Sequence, residues 1–311
     1  IIFKKNFNGK MKIYKNANLN KKHHKGVIAI GNFDGIHLGH QKVVNEARKK
    51  AKSKKLPFGI ITFEPVPVMY FNSKIKNHRI NSLEQKKNQL KKLKLDFLII
   101  IKFNKIFSSL TAEKFIKEII YNKTKCSFLY VSKNFKFGYK RRGNIQTLKK
   151  YEKQYNFKSL ITRPYKKNKK IISSTLIRKK IINGKIREAN TLLNREWNIK
   201  GKVIKGRQLG RKIGFPTCNL QLNDYIVPRN GVYAVKVKGS NFNKKGIANV
   251  GFRPTFNGKK LLLETNIFGI NKNLYNKEIN ISFRRFIRRE KKFKDLEHLK
   301  KQIKIDIKKA K

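Results

Sequence analysis

The sequence predicts an α/β domain built on a parallel sheet, followed by a small antiparallel β-barrel that ends in a helix. In the first half, short apolar runs alternate with amphipathic stretches of helical length, the pattern of parallel strands joined by helices. After about residue 200, apolar and polar residues alternate with period two, which is typical of antiparallel strands with one solvated face. The chain then closes with an amphipathic segment, DLEHLKKQIKIDIKKA.

The strands of the first domain are predicted from runs of β-branched and aromatic residues. In chain order these are KGVIAIGNF, PFGIITFEP, DFLIIIKF, SFLYVS and KSLITRP. The intervening segments are predicted to be helices, namely HQKVVNEARKKAKSK, SLEQKKNQLKKLKL, TAEKFIKEIIYNK and a segment after Gly143. This alternation implies a parallel sheet with helices on both faces.

In the second domain, GVYAVKVKG and KEINISFRRFI read as strands, and several such strands at short spacing predict a small barrel. The closing helix is expected to cover one end of that barrel. Its apolar positions recur at helical spacing: Leu296, Leu299, Ile303, Ile307 and Ala310. Before the barrel, STLIRKKIINGKIREANTLLNREW predicts two short helices hinged at Gly184. We place the domain boundary near residue 186, giving domains 1–186 and 187–311.

Charge is the most unusual property of the composition. The 311 residues include 78 Lys and Arg against 17 Asp and Glu, a formal net charge of +61. Such a field attracts nucleic acid and other polyanions, so a nucleic-acid binder is one functional hypothesis. The alternative is a chain-wide drift toward Lys, Asn and Ile. The even spread of the lysines favours drift over a basic binding stripe, and we expect no specific nucleic-acid binding.

The sequence predicts a cytoplasmic protein without a membrane anchor. The longest apolar run is about five residues, within DFLIIIKF, whereas a bilayer-spanning helix needs about 20. The start IIFKKNFNGKMKIYK lacks the apolar region of a secretion signal. Cys126 and Cys218 are too few for a disulfide framework.

GNFDGIHLGHQ, residues 31–41, joins a predicted strand to a predicted helix. The carboxyl edge of an open α/β sheet is where ligands bind, and glycines beside a helix N-terminus admit a phosphate. His37 and His40 share a helix face, where two imidazoles are suited to stabilise a triphosphate attacked at its α-phosphorus. The alternatives are a plain turn and a metal site, and the metal site lacks a nearby third ligand.

This segment resembles the GxFDGxHxGH signature of nucleotidylyltransferases, in particular the adenylylating half of bacterial riboflavin kinase/FAD synthetases. TFEPVPVMYF, NFKFGYKRRGN and ISSTLIR are similar to further motifs of that family and follow in its order. The resemblance implies a Rossmann-like sheet, with His37 and His40 as catalytic residues. It implies ATP or phosphate binding by Gly31, Asn32, Phe33, Asp34, Gly35, Ser174, Thr175 and Arg178. It implies flavin binding by Asn134 and Phe135. The plainer interpretation of the Ser-Ser-Thr run is a helix N-cap.

The second half is similar to riboflavin kinases. GRQLGRKIGFPTCNL resembles GxxxGRxxGFPTAN, and VPRNGVYAV, GIANVGFRPTF, LLLETNIF and FIRREKKFKDLEHLKKQI follow in order. The resemblance implies Glu264 as catalytic base and Arg288 as a flavin-binding residue. It also implies that Thr217 and Asn219 hold magnesium-ATP, with Thr217 on the metal. It implies a loop over the phosphates containing Gly206, Gly210, Arg211 and Gly214. The alternatives are a solvent-facing strand glutamate and an ordinary hairpin turn.

Four positions depart from the family pattern: Val66 follows TFEP, Asn144 replaces Asp, Asn194 replaces Gly, and Cys218 replaces Ala. None of them is a predicted catalytic residue. The sequence therefore predicts a bifunctional enzyme that uses Mg²⁺, makes FMN from riboflavin and ATP, then makes FAD from FMN and ATP. The alternatives are a monofunctional riboflavin kinase and a basic nucleic-acid binder on an old enzyme fold. A weak homo-oligomer is also possible.

Overall fold

The computed structural model describes residues 11–206, 208–222, 225–255 and 258–311, without the side chains of 253–255 and 258–260. Internal contacts separate two compact units. The first holds the described residues up to Ile75 together with Leu83–Ile172, and the second holds Lys76–Ser82 and the described residues from Ser173 onward. The helices Ser174–Ile182 and Ile186–Leu193 both fall in the second unit. The domain boundary near residue 186 stays a prediction.

The first unit contains a parallel sheet. Its strands are β1 (Lys12–Tyr14), β2 (Val27–Ile30), β3 (Phe58–Glu64), β4 (Phe97–Lys102), β5 (Phe128–Ser132), β6 (Lys158–Thr162), β7 (Lys166–Lys167) and β8 (Lys170–Ile171). Strands β1 to β6 are parallel in the order β1-β4-β3-β2-β5-β6, and β7 and β8 form a short hairpin. The predicted parallel α/β sheet is confirmed.

Helices connect these strands. They are α1 (Leu38–Lys54), α2 (Pro67–Phe71), α3 (Leu83–Lys91), α4 (Lys105–Ser108), α5 (Ala112–Phe115) and α6 (Ile145–Tyr151), with a π-helix at Ile116–Thr124 and 3-10 turns at Lys21–His23 and Tyr139–Arg141. Neighbouring strand residues enter opposite cores: Ile28 lies in one core and Ala29 in the other. Both faces of the sheet are therefore covered, as near-continuous apolar strands require.

The second unit contains the barrel. Its elements are α7 (Ser174–Ile182), α8 (Ile186–Leu193), β9 (Trp197–Lys202), α9 (Leu209–Lys212), β10 (Cys218–Gln221), β11 (Gly231–Lys238), β12 (Asn243–Thr255), β13 (Gly258–Ile267), β14 (Glu278–Arg288) and α10 (Leu296–Ala310). The antiparallel order is β10-β13-β12-β11-β14-β9.

The barrel is nearly closed, because the Ile204 N–H donates to the Asn219 carbonyl at 2.9 Å and so joins the two edge strands. Helix α10 packs on it through Ile303, Ile307 and Ala310. The small barrel and its terminal helix are thus confirmed. Gly184 separates α7 from α8 at φ +71°, a backbone conformation that favours glycine. Among the described residues, no helix is long and apolar enough to cross a membrane.

Candidate functional sites

The GNFDGIHLGHQ loop lies at the switch point of the parallel sheet. The chain builds outward from β2 through β3 to β4 on one side, and β5 pairs with β2 on the other. In open α/β sheets, ligands bind outside the carboxyl ends of the strands where the order reverses in this way. The loop that follows β2 and the loop that follows β5 both begin at this crevice.

Three loop residues have positive φ: Phe33 at +47°, Gly35 at +84° and Ile36 at +39°. For Phe33 and Ile36 this left-handed backbone costs about 1–3 kcal/mol each. Both side chains are buried, so their packing helps to hold the conformation. A left-handed residue next to an ordinary one, as at Phe33 and Asp34, turns successive backbone N–H groups toward one side, as in anion-binding nests.

The two histidines stack on each other at the start of α1. Their ring centroids lie 3.7 Å apart with 19° between the planes. His37 is the N-cap of α1, and its Nδ1 accepts the His40 N–H at 3.3 Å. The Phe33 ring lies 5.2 Å from that of His40. A Cβ on Gly39 would sit 3.1 Å from both the His37 ring and the Ile172 carbonyl oxygen, so the close approach at this helix start favours glycine.

Ile172 immediately precedes the ISST serines and threonine. Ser173 is the N-cap of α7, because its Oγ accepts the Leu176 N–H at 3.2 Å. Ser174 and Thr175 form the first turn of α7, and the Arg178 Nε donates to the His78 carbonyl at 2.8 Å. All of these side chains belong to the second unit. Phosphate binding by Ser174, Thr175 and Arg178 stays a prediction.

Asn134 and Phe135 lie in the loop after β5, where Asn134 is exposed and Phe135 stacks on Phe137 at 5.3 Å. Phe135 belongs to a group of packed aromatic rings at the carboxyl edge of the sheet. We call this group the aromatic cluster: Phe63, Tyr70, Phe71, Phe103, Phe107, Phe115, Phe135 and Phe137. Phe71 is 69% exposed, so the cluster offers an apolar aromatic surface beside the switch point.

In the barrel, five side chains form one row across five strands. Asn219 on β10 pairs with Glu264 on β13, Glu264 with Asn249 on β12, Asn249 with Val232 on β11, and Val232 with Arg288 on β14. Directly opposed residues of antiparallel strands point to the same face. This cross-strand row brings together the predicted Asn219, Glu264 and Arg288, although they are far apart in sequence.

The cross-strand row lines a pocket of about 620 Å³. Small-molecule pockets are about 300–1,000 Å³ and mostly apolar, with a few placed polar groups. Helix α10 supplies Leu299 and Ile303 to the pocket wall, and the segment after β14 supplies Glu290 and Phe293. Further apolar lining comes from Leu209, Ile213, Phe215, Val232 and Ile247. The pocket therefore combines apolar walls with a row of polar groups, as small-molecule sites do.

Arg288 is held at this wall by Asp306 of α10, which is 1% exposed. The Arg288 Nε lies 3.0 and 2.9 Å from the two carboxylate oxygens, and an Nη lies 2.7 Å from one of them. The Gln302 Nε2 also donates to Asp306, at 3.0 Å. Asp306 and Asn249 are pocket residues that the sequence analysis missed.

Within the GRQLGRKIG segment, Leu209–Lys212 form the short helix α9. A Cβ on Gly206 would lie 2.1 Å from the Asn219 Nδ2, and one on Gly210 would lie 3.3 Å from the Thr217 Oγ1. Gly214 has φ +86°. Gly206 and Gly210 therefore pack closely against Asn219 and Thr217, whereas a Cβ on Gly214 would meet nothing within 4 Å.

A second cavity of about 70 Å³ adjoins this loop, and its lining includes Arg211, Gln208, Tyr275 and Thr217. Thr217 also lines the larger pocket.

Comparisons with known proteins identify the family. A family model for FAD synthetase matches residues 19–176, and one for riboflavin kinase matches residues 193–311. The bifunctional riboflavin kinase/FMN adenylyltransferase of Buchnera aphidicola subsp. Schizaphis graminum is 44% identical, over 93% of this chain and 94% of that protein. The chain belongs to the bifunctional riboflavin kinase/FMN adenylyltransferase family.

Other members of this family are also similar to the chain over nearly its whole length. The proteins of that name from Haemophilus influenzae and Bacillus subtilis are 40% and 37% identical, each over 91% of this chain and at least 90% of their own length. A solved structure described as a macrolide-efflux protein from Streptococcus pneumoniae matches with a TM-score of 0.85 at 30% identity, over 96% of this chain and 98% of that one. The likeness covers the folds of both units.

The positions that depart from the family pattern fit their local structure. Asn144 is the N-cap of α6 in a capping box with Thr147, and Asn serves as well as Asp there. Asn194 ends α8 at φ +55°, which Asn tolerates best after Gly. Val66 is buried at the N-cap of α2. Burial raises the pKa of the Cys218 thiol to about 12, so this cysteine stays an uncharged packing residue.

Proposed function

We propose that the barrel unit transfers the γ-phosphoryl group of ATP to riboflavin, giving FMN and ADP. The first unit then transfers the adenylyl group of a second ATP to FMN, giving FAD and diphosphate. The cross-strand row carries the kinase half of this proposal, because it lines one pocket with two amides, a carboxylate and a guanidinium beside apolar walls. The family to which the chain belongs supports the same pair of reactions.

In the kinase step, Glu264 accepts the proton of the riboflavin hydroxyl as that oxygen attacks the γ-phosphorus. Thr217 and Asn219 hold ATP as its magnesium complex, and the 206–214 loop lies over the phosphates. The Asn219 Oδ1 is buried without a hydrogen-bond partner among the described residues, and Mg²⁺ takes oxygen ligands together with substrate phosphates. When bound, the metal neutralises charge on the transferring phosphoryl group. Arg288 lies at the flavin end of the pocket.

In the adenylyl step, backbone N–H groups of the 31–35 loop cradle the phosphates beside the N-terminus of α1. His37 and His40 stabilise the charge that develops on the α-phosphoryl group when the FMN phosphate attacks it. For Ser174, Thr175 and Arg178, phosphate binding is the prediction that the ISSTLIR resemblance implies. The loop carrying Asn134 and Phe135, with the aromatic cluster around it, contacts the flavin ring through stacking.

Two variants test whether there are two separate active sites. His40→Ala should abolish FAD formation from FMN and ATP and leave FMN formation from riboflavin and ATP intact. Glu264→Ala should do the reverse. Each half-reaction is followed by separating the flavins, with circular dichroism to confirm folding. A folded variant that lost both activities would contradict the two-site assignment.

The rival functions give different results in the same assay. A monofunctional kinase would make FMN but never FAD. A nucleic-acid binder would turn over no flavin and would bind duplex DNA with a steep salt dependence. We expect neither outcome, and we further expect a cytoplasmic enzyme that self-associates weakly at most.

A further inference from the structure

Lys86 on α3 is a lysine buried inside the first unit, only 2% exposed. Lysine is almost never fully buried unless its ammonium is paired, because removing the charge from water is costly. The Lys86 Nζ donates to the carbonyl oxygen of Asn32 at 3.0 Å. That carbonyl belongs to the loop after β2, and the buried ammonium is therefore directed at the backbone of the proposed ATP-binding loop.

The same carbonyl accepts a second hydrogen bond. The Thr62 Oγ1 on β3 donates to Asn32 O at 3.0 Å, and Thr62 is fully buried. Two donors, one from a helix and one from a strand, therefore fix this oxygen from separate elements. A single hydrogen bond would leave the peptide freer to rotate.

Fixing this carbonyl also fixes the N–H that follows it. In a trans peptide the carbonyl and the next N–H point in opposite directions, so holding Asn32 O toward α3 and β3 aims the Phe33 N–H away from them. Phe33 has φ +47°, a conformation that persists only when its surroundings hold it. The hydrogen bonds from Lys86 and Thr62 are two such constraints at the start of the turn.

We propose that Lys86 is a positioning residue for the nucleotide, because its ammonium clamps the Asn32 carbonyl and so orients the backbone N–H groups of the loop toward the phosphates. This inference rests on the adenylyl transfer proposed above. Lys86 acts through the loop, so its loss should weaken ATP binding and leave FMN binding unchanged.

The test measures FAD formation from FMN and ATP in Lys86→Met, which keeps an unbranched side chain one atom shorter and removes the ammonium. Hydrogen bonds from charged groups are strong, so we expect the KM for ATP to rise at least about tenfold. The KM for FMN and the rate of riboflavin phosphorylation should not change. Lys91→Met is the matched control, because it removes the same charge from an exposed position of the same helix.

Thr62→Val removes the other hydrogen bond without a change of charge, and we expect the KM for ATP to rise about threefold. If Lys86→Met does not fold, the KM of Thr62→Val for ATP tests the proposal instead. A folded variant of either kind with a wild-type KM for ATP would overturn the proposal. A lower kcat with both KM values unchanged would also overturn the proposal. That result would mean that the variant only lowers the fraction of intact enzyme. Failure of the proposed function is a separate result, because the wild-type protein would then make no FAD.

Discussion

Asp306→Ala should strongly destabilise the barrel unit. Asp306 is 1% exposed, and the Arg288 side chain is 15% exposed. The substitution removes the carboxylate that Arg288 and Gln302 contact and leaves the arginine charge largely buried. Losing one partner of a buried ion pair costs about 3–5 kcal/mol. For a unit of this size, that corresponds to a fall of about 6–20 °C in Tm.

Trp197 makes the measurement specific for this unit. It is the sole tryptophan of the sequence, and it is 1% exposed on β9. Its fluorescence during urea unfolding therefore reports the barrel unit. The matched control is Glu196→Ala, which breaks an exposed ion pair with Arg284. The Arg284 side chain is 51% exposed and the Glu196 side chain is 39% exposed. Exposed pairs contribute about 0–1 kcal/mol.

The pairing itself is tested by replacing both partners. The double variant Asp306→Leu with Arg288→Met removes both charges, so it should recover much of the stability lost in Asp306→Ala. The reasoning is refuted if Asp306→Ala loses no more stability than Glu196→Ala. It is equally refuted if the double variant is less stable than Asp306→Ala, because an uncompensated Arg288 charge would then not be the cause.

Two further predictions concern close packing and burial in the two units. Gly206→Ala places a Cβ only 2.1 Å from the Asn219 Nδ2, so the Asn219 side chain must move. Riboflavin phosphorylation should then fall about tenfold or more, as expected when a reacting group is misplaced by about 1 Å. FAD formation from supplied FMN should not change, and a wild-type kinase rate would contradict the proposed role of Asn219. Burial raises the pKa of the Cys126 and Cys218 thiols to about 12, so the reactive thiolate is scarce at pH 8. Iodoacetamide at that pH should therefore label both only after unfolding by urea, and labelling of the folded protein at the rate of a free thiol would contradict this prediction.

The fold was predictable because the two halves of the chain differ in hydrophobic pattern. Buried runs such as VIAI in β2 fill both cores of a parallel sheet, and the alternation in GVYAVKVK produces one wet face in β11. The glycines and histidines of residues 31–41 likewise identify a turn before a helix. Features that depend on local sequence were therefore within reach.

Features that depend on partners distant in the chain could not be predicted from the sequence. Lys86 is one of 78 Lys and Arg residues, and its burial and its contact with Asn32, far away in the chain, distinguish it. Asp306 lies among the apolar positions of α10, and its meaning depends on Arg288. Asn249 joins the cross-strand row only through strand register. The roles of these side chains depend on tertiary contacts, which no local sequence pattern encodes.

A time course of flavins in one reaction tests the central claim most directly. Purified protein is supplied with riboflavin, ATP and Mg²⁺, and the flavins are separated at intervals. The proposed function predicts that FMN forms first and is then converted to FAD, with ADP and diphosphate released in turn. FMN that accumulates without any FAD, or riboflavin that is never consumed, would contradict it.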